Sequence, residues 1–283
     1  MDALPEHLRR WLDNADNWKG ERIDEIDLPD GRYVIKRREA YALGRVALWA
    51  KRARAWLMSR VCGWLFGVRP APAALLHNDI QAEGRRLQYL FAHGQRVPEV
   101  LLSTPDILVM RNVGDVLTDV LRDADMPARL HWLDRAVQDT ARFHREGFWH
   151  GGAQLRNLTL GQDGQIWRID FEESAGDVLP LAAIQAYDFF QMLQSVMMSP
   201  RYPADDMLRL GQHVLYTYLQ AHPEPAVRAA LVRIGRIFRR ISWLLRLLAR
   251  IPGRDVQAFV RSGAVMKLLL NDGTDDSHPR LPA

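Results

Sequence analysis

A single cysteine, Cys62, leaves this 283-residue chain nothing to pair with internally. No disulfide can hold the fold, and the sequence points to a reducing compartment. The first residues, MDALPEHLRRWLDN, lack the basic start and apolar run of a secretory signal. Nowhere do apolar residues approach the run of about 18 that a membrane-spanning helix needs. Internal repeats and low-complexity tracts are also missing. On these absences the chain reads as cytosolic, in a cytoplasmic location that allows peripheral contact with the inner face of a membrane.

Acid is scarce in two places. Residues 40–77 hold six basic side chains (Arg45, Lys51, Arg52, Arg54, Arg60, Arg69) and no Asp or Glu, and residues 227–250 hold seven arginines and again no acid. The net charge of +4 therefore comes from two segments, and the rest of the chain is acidic. Such concentration predicts basic surfaces that face something anionic. The first segment also carries Trp49, Trp56, Leu57, Trp64 and Phe66. Tryptophan interleaved with Lys and Arg suits a helix lying on an anionic membrane surface or glycolipid, and packing on the front lobe is the alternative. In the second segment Val227, Leu231, Ile234, Phe238, Ile241, Leu245 and Leu248 recur every three to four residues, a core-facing stripe with arginines outside. No base-reading motif or stacking platform accompanies these charges, so nucleic acid is not an expected partner.

Along the chain, GERIDEIDLPDGRYVIKRR (20–38) alternates apolar with polar around Pro29-Asp30-Gly31, a hairpin pattern. Helical periodicity follows over 40–66, and again over 79–94, with Ile80, Leu87, Leu90 and Phe91 inward and Gly94 as its stop. VPEVLLS and DILVMR read as strands. Beyond residue 113 helices dominate: 128–147, 183–198, 204–221, 226–250 and 254–270, interrupted by a second hairpin at 158–171. Strands in front and helices behind predict an α+β chain of two lobes: 1–112 with the helical insert 40–77, then 113–271, with 272–283 as a flexible tail.

The chemistry concentrates in FHREGFWHGGAQLRNLTLGQDGQIWRIDFEE. A loop ending in Asn157, a short hairpin, and Asp170 on an apolar strand end form one way to bring an amide oxygen and a carboxylate to a single divalent cation.

His150-Gly151-Gly152, Asn157 and Ile169-Asp170-Phe171 resemble the protein-kinase-like superfamily, in particular bacterial lipopolysaccharide core (Kdo/heptose) kinases and RIO-type kinases, which carry H-G-D-x-x-x-x-N followed by I-D-F. The resemblance covers roughly residues 20–200 and implies a bilobal protein-kinase-like fold using ATP and Mg²⁺. It implies that Lys36 steadies the nucleotide's phosphates and that Glu83 is its ion-pair partner, with Glu39 and Asp79 as competitors and Lys19 as a poorer lysine. It implies that LVMRNVGD (108–115) is the hinge, with backbone around Met110–Asn112 meeting adenine. Asn157 and Asp170 would be the metal ligands, and Asp188 would brace the catalytic loop.

Two departures stand out. Gly152 replaces the loop aspartate that accepts the acceptor's proton, and only Gly20 precedes the first hairpin where a glycine-rich loop is expected. Because the transition state is loose, positioning and charge carry most of the acceleration and a general base adds about 10²–10⁴. His150, Gln154, Glu172 and Glu173 are the nearby replacements. The expected activity is phosphotransfer to a hydroxyl, of a lipopolysaccharide-type glycolipid or a protein Ser/Thr. The alternative is a pseudokinase that binds nucleotide and transfers nothing.

Overall fold

A computed structural model describes residues 4–14, 16–17, 22–38, 45–76, 80–198, 204–248 and 253–270. Gly20, Lys19, Glu39 and Asp79 lie outside the described residues, as does the tail. The architecture is α+β and bilobal.

The front lobe is built on four antiparallel strands in the order β1-β2-β4-β3 (β1 Ile23–Leu28, β2 Gly31–Arg37, β3 Val100–Ser103, β4 Ile107–Arg111). Alternation along β4 sends Ile107 and Val109 to one face and Leu108 and Met110 to the other. On the outer face α1 (Glu6–Asp13) buries Leu8 and Leu12 against Tyr33 and Ile35. The β1–β2 turn is pinned to this helix, because the Asp30 carboxylate accepts from the His7 N–H at 2.9 Å and from the Tyr33 hydroxyl. On the inner face α3 (Ile80–Ala92) packs Leu87 and Leu90 on Leu108 and Met110. Its end is set by Gly94 in the left-handed region (φ 72°). Phe91, expected inward, is 46% exposed; it follows Leu90 directly, and a helix turns adjacent residues about 100° apart.

In the back lobe a three-stranded sheet, β5-β6-β7 (Asp115–Val116, Leu158–Leu160, Ile166–Arg168), lies over helices. These are α4 (Leu117–Asp123), α5 (Met126–Arg145), α6 (Leu181–Met197), α7 (Ala204–Ala221), α8 (Pro225–Arg240), α9 (Ser242–Leu248) and α10 (Arg254–Leu268). Asp125 caps α5 by accepting from the Ala128 N–H at 2.9 Å. Helix α6 is buried on nearly every face, as its apolar composition requires. Phe189 at its middle stacks on Tyr218 of α7, ring centroids 4.2 Å apart. The helix expected over 226–250 breaks at Ile241, and beyond it Trp243, Leu244 and Leu247 turn to the surface.

The insert departs from expectation more instructively. Helix α2 (Arg45–Phe66) follows β2 in the chain but rests on the back lobe. Cys62 packs with Ala183 and Ile184 of α6, and the guanidinium of Arg233 in α8 lies against Gly67. Its buried side is the small-residue one, Ala55, Ser59 and Cys62, and its tryptophans face out: Trp49 is 72% exposed. Its tryptophans therefore do not mark the packed face, although Met58, Leu65 and Phe66 of the same helix pack inward.

Candidate active site

The site begins with strand alternation. Lys36 projects from β2 on the same side as Val34, toward α3. Helix α3 comes close because residue 84 is glycine; a Cβ there would stand 2.5 Å from the Ser103 hydroxyl. That approach delivers Glu83, 3% exposed, to the lysine. Lys36 Nζ donates to Glu83 Oε1 at 2.7 Å and to Asp170 Oδ1 at 2.9 Å. Burial lifts the Glu83 carboxyl above the ordinary carboxylate range, against the pull of Lys36. For Lys36 burial acts downward, but the two facing carboxylates outweigh it and hold the ammonium above its usual value. The two shifts favour opposite charge states of one pair. We take the lysine as charged, because two acceptors face one donor.

Asp170 is placed by the second hairpin. Leu158 pairs with Arg168, and one step further the Ile169 N–H donates to the Asn157 carbonyl at 3.0 Å. The register therefore sets Asn157 and Asp170 at neighbouring points on the hairpin's open end. Asp170 is the one described non-glycine residue with positive φ (68°), a conformation that costs energy and that the surrounding contacts must hold. The Asn157 amide nitrogen donates to the Gly152 carbonyl at 2.7 Å, which leaves the amide oxygen as the atom a cation could use. Among the described residues no group of three or more His, Cys, Asp or Glu could hold a metal. One carboxylate and one amide oxygen suit Mg²⁺, which keeps waters and takes remaining ligands from phosphate. The residues present are of kinds that suit a metal–nucleotide complex; Asp170 and Asn157 would hold the cation and Lys36 would stand beside the phosphates.

The loop between these residues is braced from beneath. Asp188 of α6, fully buried, accepts from the His150 N–H at 2.6 Å and the Gly151 N–H at 2.7 Å. His144 Nε2 lies 3.4 Å from the same carboxylate, and its Nδ1 meets the Tyr218 hydroxyl at 2.7 Å.

The remaining candidates fall elsewhere. The Gly152 N–H donates to His150 Nδ1 at 3.1 Å, so Nε2 carries the proton and donates it to the Ile169 carbonyl at 2.9 Å. Burial, with Arg86 and Arg168 nearby and Asp188 opposing them, pushes this imidazole down to about 4. With both nitrogens engaged, His150 cannot serve as the replacement base and instead ties the loop to Asp170's neighbour. The Gln154 amide turns to Gln191 Oε1 at 3.3 Å, into the back lobe. Met110 is a strand residue paired on both sides, opposite Val34 and Val100, with its side chain in the α3 core; its backbone is spent on the sheet. The Asn112 N–H is likewise given to the Arg32 carbonyl, and its side-chain oxygen accepts from the Gly114 N–H at 2.9 Å. The connection between lobes is therefore the short run after Asn112, within LVMRNVGD but past the Met110–Asn112 backbone.

Sequence reasoning missed Arg86. It donates to the carbonyls of Trp149 (2.7 Å) and Glu173 (3.0 Å) and stacks over the Trp149 ring, 3.2 Å from its centroid. Burial lowers it to about 10, partly offset by Asp188 and Asp177. The signal was there: Glu83, Arg86, Leu87 and Leu90 follow the three-and-four spacing of a single helix face.

No protein-family profile matches the chain. A stretch of 68 residues is 32% identical to 3-deoxy-D-manno-octulosonic acid kinases from two strains of Xylella fastidiosa, covering 24% of this chain and 26% of each relative. The match thus spans about a quarter of those relatives' length. Among solved structures, the Rv3197–erythromycin complex from Mycobacterium tuberculosis superimposes with a TM-score of 0.39 at 18% identity, covering 87% of this chain and 70% of that one. The sequence likeness supports a kinase-like relationship at that coarse level.

Proposed function

We propose that the chain is an ATP- and Mg²⁺-dependent phosphotransferase acting on a hydroxyl, with a saccharide of an anionic membrane glycolipid as the acceptor. One observation carries the reading: Lys36 bridges Glu83 and Asp170 while the hairpin sets Asp170 beside Asn157. In this reading Lys36 holds nucleotide phosphate, Glu83 holds Lys36, and Asp170 with Asn157 holds the cation. Mg²⁺, when bound, supplies neutralisation of charge on the phosphate oxygens. Asp188 and His150 keep the loop in register, so little reorganisation remains for the reaction itself.

The acceptor class is supported by the surface. Exposed Trp49, Trp56, Leu57 and Trp64 of α2 lie with exposed Arg52 and Arg60. Next to α2, helix α8 exposes Arg233, Arg236, Arg239 and Arg240 and leads into exposed Trp243 and Leu247 of α9. Aromatic side chains among cations are the composition of a surface that rests on anionic lipid. No helix among the described residues is long and apolar enough to cross a membrane. The 32% identity over 68 residues to 3-deoxy-D-manno-octulosonic acid kinases supports the same class.

Gly152 favours a second reading, a nucleotide-binding module without phosphotransfer. Both readings expect Mg·ATP to raise the melting temperature and Asp170→Ala to abolish the rise; no rise in the wild type rejects both. ADP release then separates them.

A further inference from the structure

A second segment reaches the loop at Gly152. A Cβ built on Gly152 would stand 3.4 Å from Asn157 Nδ2 and 3.6 Å from Glu173 Cγ. The side chain of Glu173 thus lies beside the point where a loop carboxylate would begin. Glycine at 151 makes this possible: with φ 90° and a Cβ that would come within 3.0 Å of Glu173 Cβ and 3.2 Å of the Trp149 ring, a side chain there is excluded. The backbone of residue 173 is fixed by Arg86, which holds its carbonyl and that of Trp149 at once. Next door, the Ser174 hydroxyl donates to the Ala74 carbonyl at 3.0 Å, and Trp149 occupies the space over Gly176. Glu172 is committed differently, to Arg22 at 3.3 Å across the lobes.

We infer that Glu173 is the catalytic base, a carboxylate supplied from beyond Asp170 in place of one on the loop. This rests on the phosphotransferase reading. The acceptor's O–H gives its proton to Glu173 as its oxygen forms a bond to the γ-phosphorus. The bond from that phosphorus to the bridging oxygen breaks, and ADP leaves with the electron pair. Glu173 then passes the proton to solvent. The two glycines and the displaced acid are one arrangement: Gly151 and Gly152 leave room beside the loop for the Glu173 side chain, and Arg86 holds the carbonyl of the same residue.

The test uses the full-length protein with Mg·ATP, water as acceptor, ADP release as rate and the Mg·ATP-induced rise in melting temperature as binding. Glu173→Gln is expected to slow ADP release by about 10²-fold or more, the range of a general base, with the melting-temperature rise kept. Adding Gly152→Asp to that variant is expected to recover at least about tenfold, since a Cβ at 152 meets only ordinary contacts. Unchanged ADP release in Glu173→Gln, or no recovery on adding Gly152→Asp, overturns Glu173 while leaving the phosphotransferase reading in place. A wild type that binds Mg·ATP and releases no ADP overturns both. Circular dichroism of each variant separates a lost base from a lost fold.

Discussion

Replacing Lys36 with methionine keeps the length of the side chain and removes its charge, so it isolates what the ammonium does for Glu83. Glu83 is 3% exposed and loses its 2.7 Å partner. Removing one member of a buried ion pair costs about 3–5 kcal/mol when the other stays charged. Glu83 has a cheaper exit, which is to bind a proton. An unfolded Glu titrates near 4.3, so protonating it at pH 7 costs about 2.7 units × 1.36, roughly 3.7 kcal/mol. That figure is a ceiling on the penalty. At pH 5.5 the same ceiling falls to about 1.6 kcal/mol. The sign follows from linkage: with its folded pKa raised, Glu83 destabilises the fold above its unfolded value, and the loss is relieved as pH falls toward about 4.3. Asp170, a third exposed, can hydrate, and adds little. Urea unfolding of Lys36→Met against wild type, followed by far-ultraviolet circular dichroism at pH 7 and 5.5, reads the difference directly. Adding Glu83→Gln should erase the pH dependence. A penalty equal at both pH values, or indifferent to Glu83→Gln, refutes the coupling of these two side chains.

Two further predictions test the brace and the surface. Asp188→Asn keeps one acceptor for the His150 and Gly151 N–H groups and points a donor at the other; it is expected to cost about 1–3 kcal/mol, and a loss below about 0.5 kcal/mol in urea melts would contradict the brace, being no more than a neutral surface change costs. Arg233→Glu with Arg236→Glu and Arg240→Glu is expected to abolish salt-sensitive flotation with phosphatidylglycerol vesicles while leaving the melting temperature within a few degrees. Equal flotation of this variant, or none by the wild type, removes the anionic-bilayer surface.

Much of the fold was legible because its signals are local. The alternation of RYVIK put Lys36 on one face of a strand, helical spacing aligned Glu83 with Leu87 and Leu90, and the distance from Asn157 to Asp170 matches a hairpin. What escaped depends on long-range placement. DILVMR reads as a strand that includes Met110, but nothing in LVMRNVGD marks that β2 and β3 pair with it on both sides or that the bonding runs on to Asn112. The seat of α2 was hidden because Cys62 meets α6 while Trp49, Trp56 and Trp64 lie outside, and composition alone left their packing on the front lobe open. Glu173 could be named from sequence as one acid of several. Its nearness to Gly152 is a long-range contact, made where Arg86, from a different element, bonds the carbonyls of both Glu173 and Trp149.

Helix α2 is threaded between the strand that carries Lys36 and the helix that carries Glu83, yet it rests on the other lobe. In chain order, Lys36 and Glu83 are thus separated by an element seated on the back lobe. Beyond α2, the Ala74 carbonyl accepts from the Ser174 hydroxyl, one residue from Glu173. One segment, inserted between the halves of a front-lobe pair, thus contributes a hydrogen bond to the stretch that follows Asp170.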